Sequence, residues 1–414
     1  MTIVLCITGC GKIAATMESG GDFASDDGRD REAAESREAL KETRSRRKSE
    51  RSQEAHILVD EGGYGLRDQK TAYFIGDDLK DTFWVVDAET KTKVLEGELI
   101  RITEDEDGES IWKGDFSALQ REGSYYIQTP VIGQSDVFGI SRKNREALAV
   151  RLGDEWERRI PELAIRTNED EFCRNADGLT GMAMAYELFE EQDEKSRQRL
   201  SDAAEKMSEA GKKLQQEDDP SERMLAAYTL TMAVLADVLV DLPECEDLKR
   251  QALSAYGRLD KGDEKSIEVL TAEAALYRLT GERRYAAGAE KYLSEFGSYE
   301  KENFYLVYCY LTTPKDVDAE ICNDLMKKLI ASAGAGEEKI AGEAPGMGRE
   351  KQEDELFCAQ LLTLADYVLV SREYRRAASE ICHRISMSGL AKPEDMTTDE
   401  LACFYFLTLG NMEK

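Results

Sequence analysis

Residues 71–90, TAYFIGDDLKDTFWVVDAET, carry the clearest β-strand signal in the chain. Two runs of aromatic and β-branched residues, 71–76 and 82–87, flank the turn-forming Gly76-Asp77-Asp78, which is the pattern of two β-strands. Similar runs lie before and after this stretch, at 57–60, 93–102, 110–114, 123–129 and 136–140. This number of short strands between turn signals predicts a β-sandwich.

The spacing of apolar residues becomes helical from about residue 144 to the end of the chain. Met182, Ala185, Tyr186 and Phe189 recur at intervals of three and four, and later segments keep this spacing. The pattern predicts about eight to ten helices in antiparallel pairs, and since no short period repeats, it does not indicate a solenoid. Prolines mark breaks between helices, at Pro220, Pro243, Pro314 and Pro393.

The first ten residues, MTIVLCITGC, form an apolar run that ends in Ile7-Thr8-Gly9-Cys10. This run resembles a bacterial lipobox, in which a small residue precedes a cysteine that is acylated. The resemblance predicts lipidation of Cys10 and an exported lipoprotein on a bacterial cell surface, bound to the membrane through that lipid only. The run is short and lacks a basic region, so a truncated signal and an N-terminus without function both stay open.

Residues 11–54 contain mainly Gly, Ser, Asp, Glu, Arg and Lys, with few large apolar side chains. Such a segment cannot bury enough apolar surface to offset the loss of chain entropy on folding. The composition therefore predicts a disordered, charged linker between the lipid anchor and the folded part of the chain.

The charge of the chain limits its partners. Acidic residues outnumber basic ones by 84 to 55, and the formal net charge is −29. Phosphate backbones and anionic lipid surfaces both attract cationic faces, so neither nucleic acid nor peripheral binding to anionic lipid is expected. A neutral polysaccharide such as a β-glucan fits this surface.

The nine cysteines do not follow the spacing of a metal site. Most lie in apolar helical stretches, such as Phe357-Cys358-Ala359 and Ala402-Cys403-Phe404, which is typical of buried free thiols. We therefore predict no metal and no cofactor.

The region 55–142 resembles the immunoglobulin-like domain that precedes the catalytic domain in cellulases of glycoside hydrolase family 9. The order and spacing of its motifs match along the whole region, although Asp60-Glu61 replaces an amide pair. The resemblance rests on 57–65 (ILVDEGGYG), 83–88 (FWVVDA), 115–119 (DFSAL), 122–126 (EGSYY) and 135–140 (SDVFGI).

The region 143–414 resembles, more weakly, a shortened form of the same family's (α/α)6 barrel, a toroid of six helical hairpins. Residues 272–285 (AEAALYRLTGERRY) are similar to a helix, turn and helix of that barrel. Residues 361–367 (LLTLADY) and 374–378 (YRRAA) are similar to its penultimate helix pair. The resemblance implies an inverting hydrolase of β-1,4-glucosidic bonds, which uses one carboxylate as base and one carboxylic acid as acid.

The motif that supplies the catalytic base in the family is largely missing. In place of Gly-Gly-Trp-x-Asp-Ala-Gly-Asp, this chain has 173–181, CRNADGLTG, before a helix expected from Met182. Asp177 is the only carboxylate in this stretch and is the candidate remnant of the base. The alternative is that Asp177 caps a helix or lies in a turn.

The family acid corresponds to Glu400 in 398–403, TDELAC. The alternative is that Asp399 and Glu400 complement the N-terminus of a helix. His383 stands where a histidine-rich sugar-binding loop is expected, and we predict that it faces solvent or caps a helix. All three tryptophans, which would be stacking platforms for sugar rings, precede the main helices, at Trp84, Trp112 and Trp156.

These observations favour a degenerate member of the family that binds a polysaccharide or another protein with lost or strongly reduced catalysis. One alternative is an active glycosidase that pairs Glu400 with Asp177 or another carboxylate. The other alternative is a structural surface module.

Overall fold

The computed structural model describes residues 57–60, 62–104, 109–164, 168–188, 194–259, 265–341, 349–387 and 396–410. The lipobox with Cys10 and the linker 11–54 lie outside these ranges, so both stay sequence-based predictions. Within the described ranges, no helix combines the length and the apolar character that crossing a bilayer requires.

Antiparallel strands form the N-terminal domain, in the order β1-β2-β5-β4-β3-β6-β7 with β8 paired to β6. Strand β4 pairs with β3 through its first half and with β5 through its second half, so it belongs to both sheets of the sandwich. The strands are β1 Ile57–Leu58, β2 Thr71–Ile75, β3 Thr82–Asp87, β4 Lys93–Glu104, β5 Ser110–Asp115, β6 Gly123–Thr129, β7 Gly133–Gln134 and β8 Phe138–Ile140.

The buried ring of Phe83 lies where β4 passes from one sheet to the other. Gly97 and Gly114 face this ring, and a Cβ added to either would lie 2.4 Å or 2.6 Å from its atoms. Only residues without a side chain leave room for the ring there. Tyr64 and Phe116 belong to the same core, with ring centroids 5.1 Å apart.

Helices make up the rest of the chain, as predicted, although the described residues form twelve α-helices rather than eight to ten. They are α1 Asn144–Arg159, α2 Glu169–Leu188, α3 Glu194–Gln215, α4 Glu222–Val238, α5 Cys245–Gly257, α6 Ile267–Thr280, α7 Arg283–Ser294, α8 Phe304–Leu311, α9 Ala319–Ala341, α10 Arg349–Leu369, α11 Arg372–Met387 and α12 Thr398–Gly410. The fold class, a β-sandwich followed by a helical domain, is confirmed.

Alternate helices pack side by side around the helical core. Helix α2 contacts α4 and α12, helix α4 contacts α6, helix α6 contacts α8, and helix α12 also contacts α10. Their facing sides carry small and apolar residues, which allows close packing, and nearly all residues of α4 from Met224 to Ala236 are buried. The description of this domain as a toroid of six hairpins stays a prediction.

The two domains share a buried junction at α11. Met387, the last residue of that helix, is 7% exposed and belongs to the hydrophobic core of the sandwich. Within the two preceding turns, polar residues of α11 contact residues of the sandwich, including an ion pair between Glu380 and Lys113. Helix α11 therefore ties the sandwich to the helical domain.

Candidate functional site

A cavity of about 640 Å³ opens between α2, α8, α10 and the start of α12. It brings together the two residues singled out by the sequence, Asp177 of α2 and Glu400 of α12, which are separated by more than half of the chain. Its wall also contains a third carboxylate, Glu353, and two cations, Arg174 and Lys301.

Asp177 lies inside helix α2, which corrects two expectations from the sequence. The helix begins at Glu169 rather than at Met182, because the side chain of Asn168 accepts a hydrogen bond from the backbone N–H of Glu171 at 2.9 Å and caps the helix. Asp177 therefore neither caps a helix nor lies in a turn. The hydroxyl of Tyr305 donates to its carbonyl oxygen at 3.1 Å.

The neighbouring Gly178 explains how Asp177 reaches the cavity beside Glu400. A Cβ at this position would lie 3.0 Å from the carbonyl oxygen of Thr398, at the first turn of α12. The missing side chain lets α2 approach the start of α12 closely. This contact places Asp177 and Glu400 in the wall of one cavity.

The carboxylate of Glu400 is held by its own helix. Its Oε2 accepts one hydrogen bond from the backbone N–H of Thr397 at 2.6 Å and another from the Thr397 hydroxyl at 2.7 Å. In return, the backbone N–H of Glu400 points at the Thr397 hydroxyl oxygen at 3.4 Å. This reciprocal arrangement is a capping box, so Glu400 makes the helix contacts that the alternative interpretation predicts.

One side of the cavity is aromatic. Phe304 and Tyr305 of α8 face Phe357 of α10, and the rings of Phe304 and Phe357 meet edge to face with centroids 6.2 Å apart. Gln360 adds an amide to the same wall. This apolar patch is one side of a cavity whose other walls carry three carboxylates and two cations.

One cation at the rim of the cavity pairs with two carboxylates. The Lys301 ammonium lies 3.4 Å from carboxylate oxygens of both Glu353 and Asp354, and all three side chains are about half exposed. Solvent screens such pairs, so they orient the rim more than they stabilise the fold.

The thiols of the described cysteines are all free, and most are buried, as the sequence predicted. Burial raises the pKa of the Cys173 thiol and of the Cys309 thiol to about 12. Both therefore stay protonated and unreactive at neutral pH. Among the described residues, His, Cys, Asp and Glu side chains form no cluster suited to a metal ion.

The sequence missed the surroundings of His383. This residue was expected to face solvent or to cap a helix, and both expectations are wrong, because it is fully buried in the junction between the domains. Its partners, Asp60 and Asp68, lie more than 300 positions earlier in the chain. Spacing within α11 therefore gives no signal for these contacts.

Comparison with known proteins identifies the N-terminal domain by family and shows the fold of the chain. Residues 52–134 match the family described as the cellulase N-terminal ig-like domain. The structure is similar to the crystal structure of a metagenome-derived glycoside hydrolase family 9 endoglucanase, with a TM-score of 0.67 and 13% identity over 85% of this chain and 98% of that chain.

The chain has the fold of the family 9 endoglucanases. A glycoside hydrolase family 9 protein from Bacteroides ovatus is similar, with a TM-score of 0.66 and 12% identity over 86% of this chain and 98% of that chain. A thermostable endoglucanase variant from Alicyclobacillus acidocaldarius is also similar, with a TM-score of 0.61 and 16% identity over 80% of this chain and 81% of that chain. A search of curated proteins found no match.

The family 9 endoglucanase resemblance inferred from the sequence is thus confirmed for the N-terminal domain and for the fold. At these identities, the likeness of the helical domain to solved structures is evidence about the fold, not about activity. The roles of Asp177 and Glu400 stay predictions.

Proposed function

We propose that this protein binds a polysaccharide, such as a β-glucan, in the cavity between α2, α8, α10 and α12, and that it has lost most or all of its hydrolytic activity. The observation that carries the proposal is the capping box at Glu400. The residue at the position of the family acid uses Oε2 to accept two hydrogen bonds from Thr397. These contacts give the carboxyl group a structural role at the start of α12 and restrict its rotation towards a glycosidic oxygen.

The motif that supplies the catalytic base in the family is also incomplete in this chain. The family base comes from a motif with paired aspartates, and this chain keeps only Asp177, on a helix whose neighbouring residue packs against Thr398. Each proton transfer in an inverting hydrolase contributes about 10²–10⁴-fold to the rate. Weakening both transfers together leaves binding as the main activity of the cavity.

The cavity keeps the properties that saccharide binding requires. Its volume suits several sugar units, and its aromatic wall of Phe304, Tyr305 and Phe357 offers apolar surface to the CH faces of sugar rings. Asp177, Glu353 and Gln360 lie near this wall and can accept hydrogen bonds from sugar hydroxyls.

An active inverting glycosidase is the second candidate. The observation in its favour is that Asp177 and Glu400 line the same cavity. An inverting pair needs carboxyl groups about 6.5–9.5 Å apart with water between them.

Replacing Phe357 with leucine is expected to weaken binding of cellohexaose about tenfold, which corresponds to about 1.4 kcal/mol. Leucine keeps apolar bulk next to Phe304 but removes the flat ring of the cavity wall. Isothermal titration calorimetry of the full chain measures the change. The matched control is Tyr367→Leu on the same helix, because Tyr367 is 46% exposed and lies outside the cavity lining.

In this comparison, the Tyr367 variant should keep the affinity of the unmodified protein. Equal affinity of the Phe357 variant and the unmodified protein would show that saccharide does not contact this wall. Absence of binding by the unmodified protein would reject the proposal for cello-oligosaccharides altogether.

A further inference from the structure

His383 of α11 lies between two aspartates of the sandwich. Its Nδ1 is 2.6 Å from Oδ2 of Asp60, and its Nε2 is 2.9 Å from Oδ2 of Asp68. An ionised carboxylate only accepts hydrogen bonds, so each of these contacts needs an N–H on the ring. A neutral imidazole has one N–H, whereas an imidazolium has two, so this geometry fits the charged ring.

Both aspartates receive backbone donors that suit their ionised form. The N–H of Gly62 donates to Oδ1 of Asp60 at 2.8 Å, and the N–H of Gly65 donates to Oδ2 of Asp68 at 2.7 Å. Hydrogen bonds from backbone N–H groups favour the charged carboxylate. These donors fit an arrangement in which the protons of both contacts with His383 reside on the ring.

The charges of the cluster balance when the ring is protonated. Lys70 is fully buried beside it, and its ammonium donates to the carbonyl oxygens of Leu66 and Asp68. The buried part of the cluster, without the exposed Arg151, then holds two carboxylates and two cations, the imidazolium and the ammonium. Loss of the proton from His383 would leave a buried excess of negative charge, which is costly in a site of low polarity.

Other groups around the ring keep their charge state over the neutral range. The ring of Tyr64 lies against that of His383 with centroids 4.6 Å apart, and burial, reinforced by Asp60, raises the pKa of its hydroxyl well above the usual value. Arg151 of α1 approaches the turn at Gly62.

The remaining charged groups lie on α11 and its partners. Within α11, Glu380 pairs with Lys113 of the sandwich. Arg384 contacts Tyr73 of the sandwich and Glu355 of α10. Among these groups and those around the ring, His383 is the one whose ordinary titration range lies between pH 5 and 8.

We propose that Asp60, His383 and Asp68 form a protonation-dependent clasp between the two domains. The clasp holds α11 against the sandwich while both ring nitrogens carry a proton, and it weakens when one proton is lost. Met387, one turn later, lies in the sandwich core, so the clasp also helps to position that residue. The proposal does not depend on the ligand of the cavity.

The protonation state can be observed directly in the full chain. The sequence contains only two histidines, His56 and His383, so the substitution His56→Gln leaves His383 as the single source of imidazole signals. Nitrogen-15 NMR of this variant at pH 7 is expected to show a proton on both ring nitrogens. A ring with one unprotonated nitrogen at this pH would overturn the proposal.

The pH dependence of stability provides the second test. A group that loses its proton more readily in the unfolded chain stabilises the fold at low pH, and this stability is lost as pH rises. Through the imidazole titration, the unfolding equilibrium constant at fixed urea should rise by up to about tenfold per pH unit in the unmodified protein. The His383→Gln variant should lack this rise, and the His56→Gln control should retain it.

Equal pH profiles of the unmodified protein and of His383→Gln would contradict the clasp. If His383→Gln does not fold, Asp60→Asn serves instead. Its amide oxygen can still accept from the Gly62 N–H while its NH2 group, in place of Oδ2, donates to a neutral ring and removes the need for the second proton. That variant should fold and show a flatter profile than the unmodified protein. An unchanged slope in Asp60→Asn would equally contradict the proposal.

Discussion

Replacing Arg384 with methionine is expected to destabilise the protein by about 3–5 kcal/mol, the range for breaking a buried ion pair. The guanidinium donates from Nη2 to Oε1 of Glu355 at 2.8 Å and from Nη1 to the hydroxyl of Tyr73 at 2.9 Å. The Arg384 and Glu355 side chains are 1% and 9% exposed, so solvent cannot replace these contacts. Urea denaturation of both proteins at one pH measures the loss.

The double variant Arg384→Met with Glu355→Gln tests this reason. Removing both charges avoids a buried carboxylate that has lost its guanidinium, so the double variant should be more stable than the single one. A single variant within about 1 kcal/mol of the unmodified protein would show that this ion pair contributes little to the junction.

The second large effect is expected for Arg278→Met, in the interior of the helical domain. The guanidinium pairs with Asp237 at 2.7 Å and with Glu187, and it also contacts the hydroxyl of Thr312. Tyr308 donates to the other oxygen of Glu187, and burial raises the pKa of this hydroxyl well above its usual value, so it stays a donor. Arg278 thus joins α2, α4, α6 and the end of α8.

We expect a loss of about 3 kcal/mol, the lower end of the range for buried pairs, because the two carboxylates are about a quarter exposed and solvent can reach them. The matched control is Arg250→Met, whose side chain is 74% exposed and pairs with Asp247 within one helix. The control should change the free energy of unfolding by less than about 0.5 kcal/mol. Equal losses in both variants would contradict the structural role of Arg278.

The strands of the sandwich could be predicted because each is encoded locally. Strand β3 spans Thr82–Asp87, as the aromatic and β-branched run indicated, and β2 ends one residue earlier than expected. Strand β7, Gly133–Gln134, was not separated from its neighbours, since a two-residue strand with a glycine leaves no periodic pattern. Runs of β-branched and aromatic residues bounded by turn residues mark such elements in the sequence.

The start of helix α2 could not be predicted from local sequence patterns. The helix was expected to begin at Met182, after Gly178 and Gly181, and glycine lowers helix propensity. In the structure, the lack of a side chain at Gly178 is used for close packing against Thr398, and the gain from packing outweighs the helix propensity. Asp177 therefore lies inside a helix and lines the cavity, whereas the alternative interpretation had it as a cap or turn residue.

The contacts of His383 could not be predicted for a different reason. The Asp60-Glu61 departure from the family pattern and the lone His383 were both visible in the sequence, but nothing local connects them. Only the fold brings Asp60 and Asp68 to the two nitrogens of one ring. Side chains that pair across a domain junction carry no spacing signal, so the sequence could offer them only as separate polar residues.

Product analysis of bound cellohexaose tests whether the cavity binds saccharide without cutting it. The full chain and its Glu400→Gln variant are each incubated with the hexasaccharide at saturating concentration, and free and bound sugars are then analysed by mass spectrometry. Glutamine can keep the capping box with Thr397, so the variant should fold. We predict intact cellohexaose and equal affinity in both proteins. Shorter sugars formed by the unmodified protein and absent with Glu400→Gln would contradict the account and identify an active hydrolase.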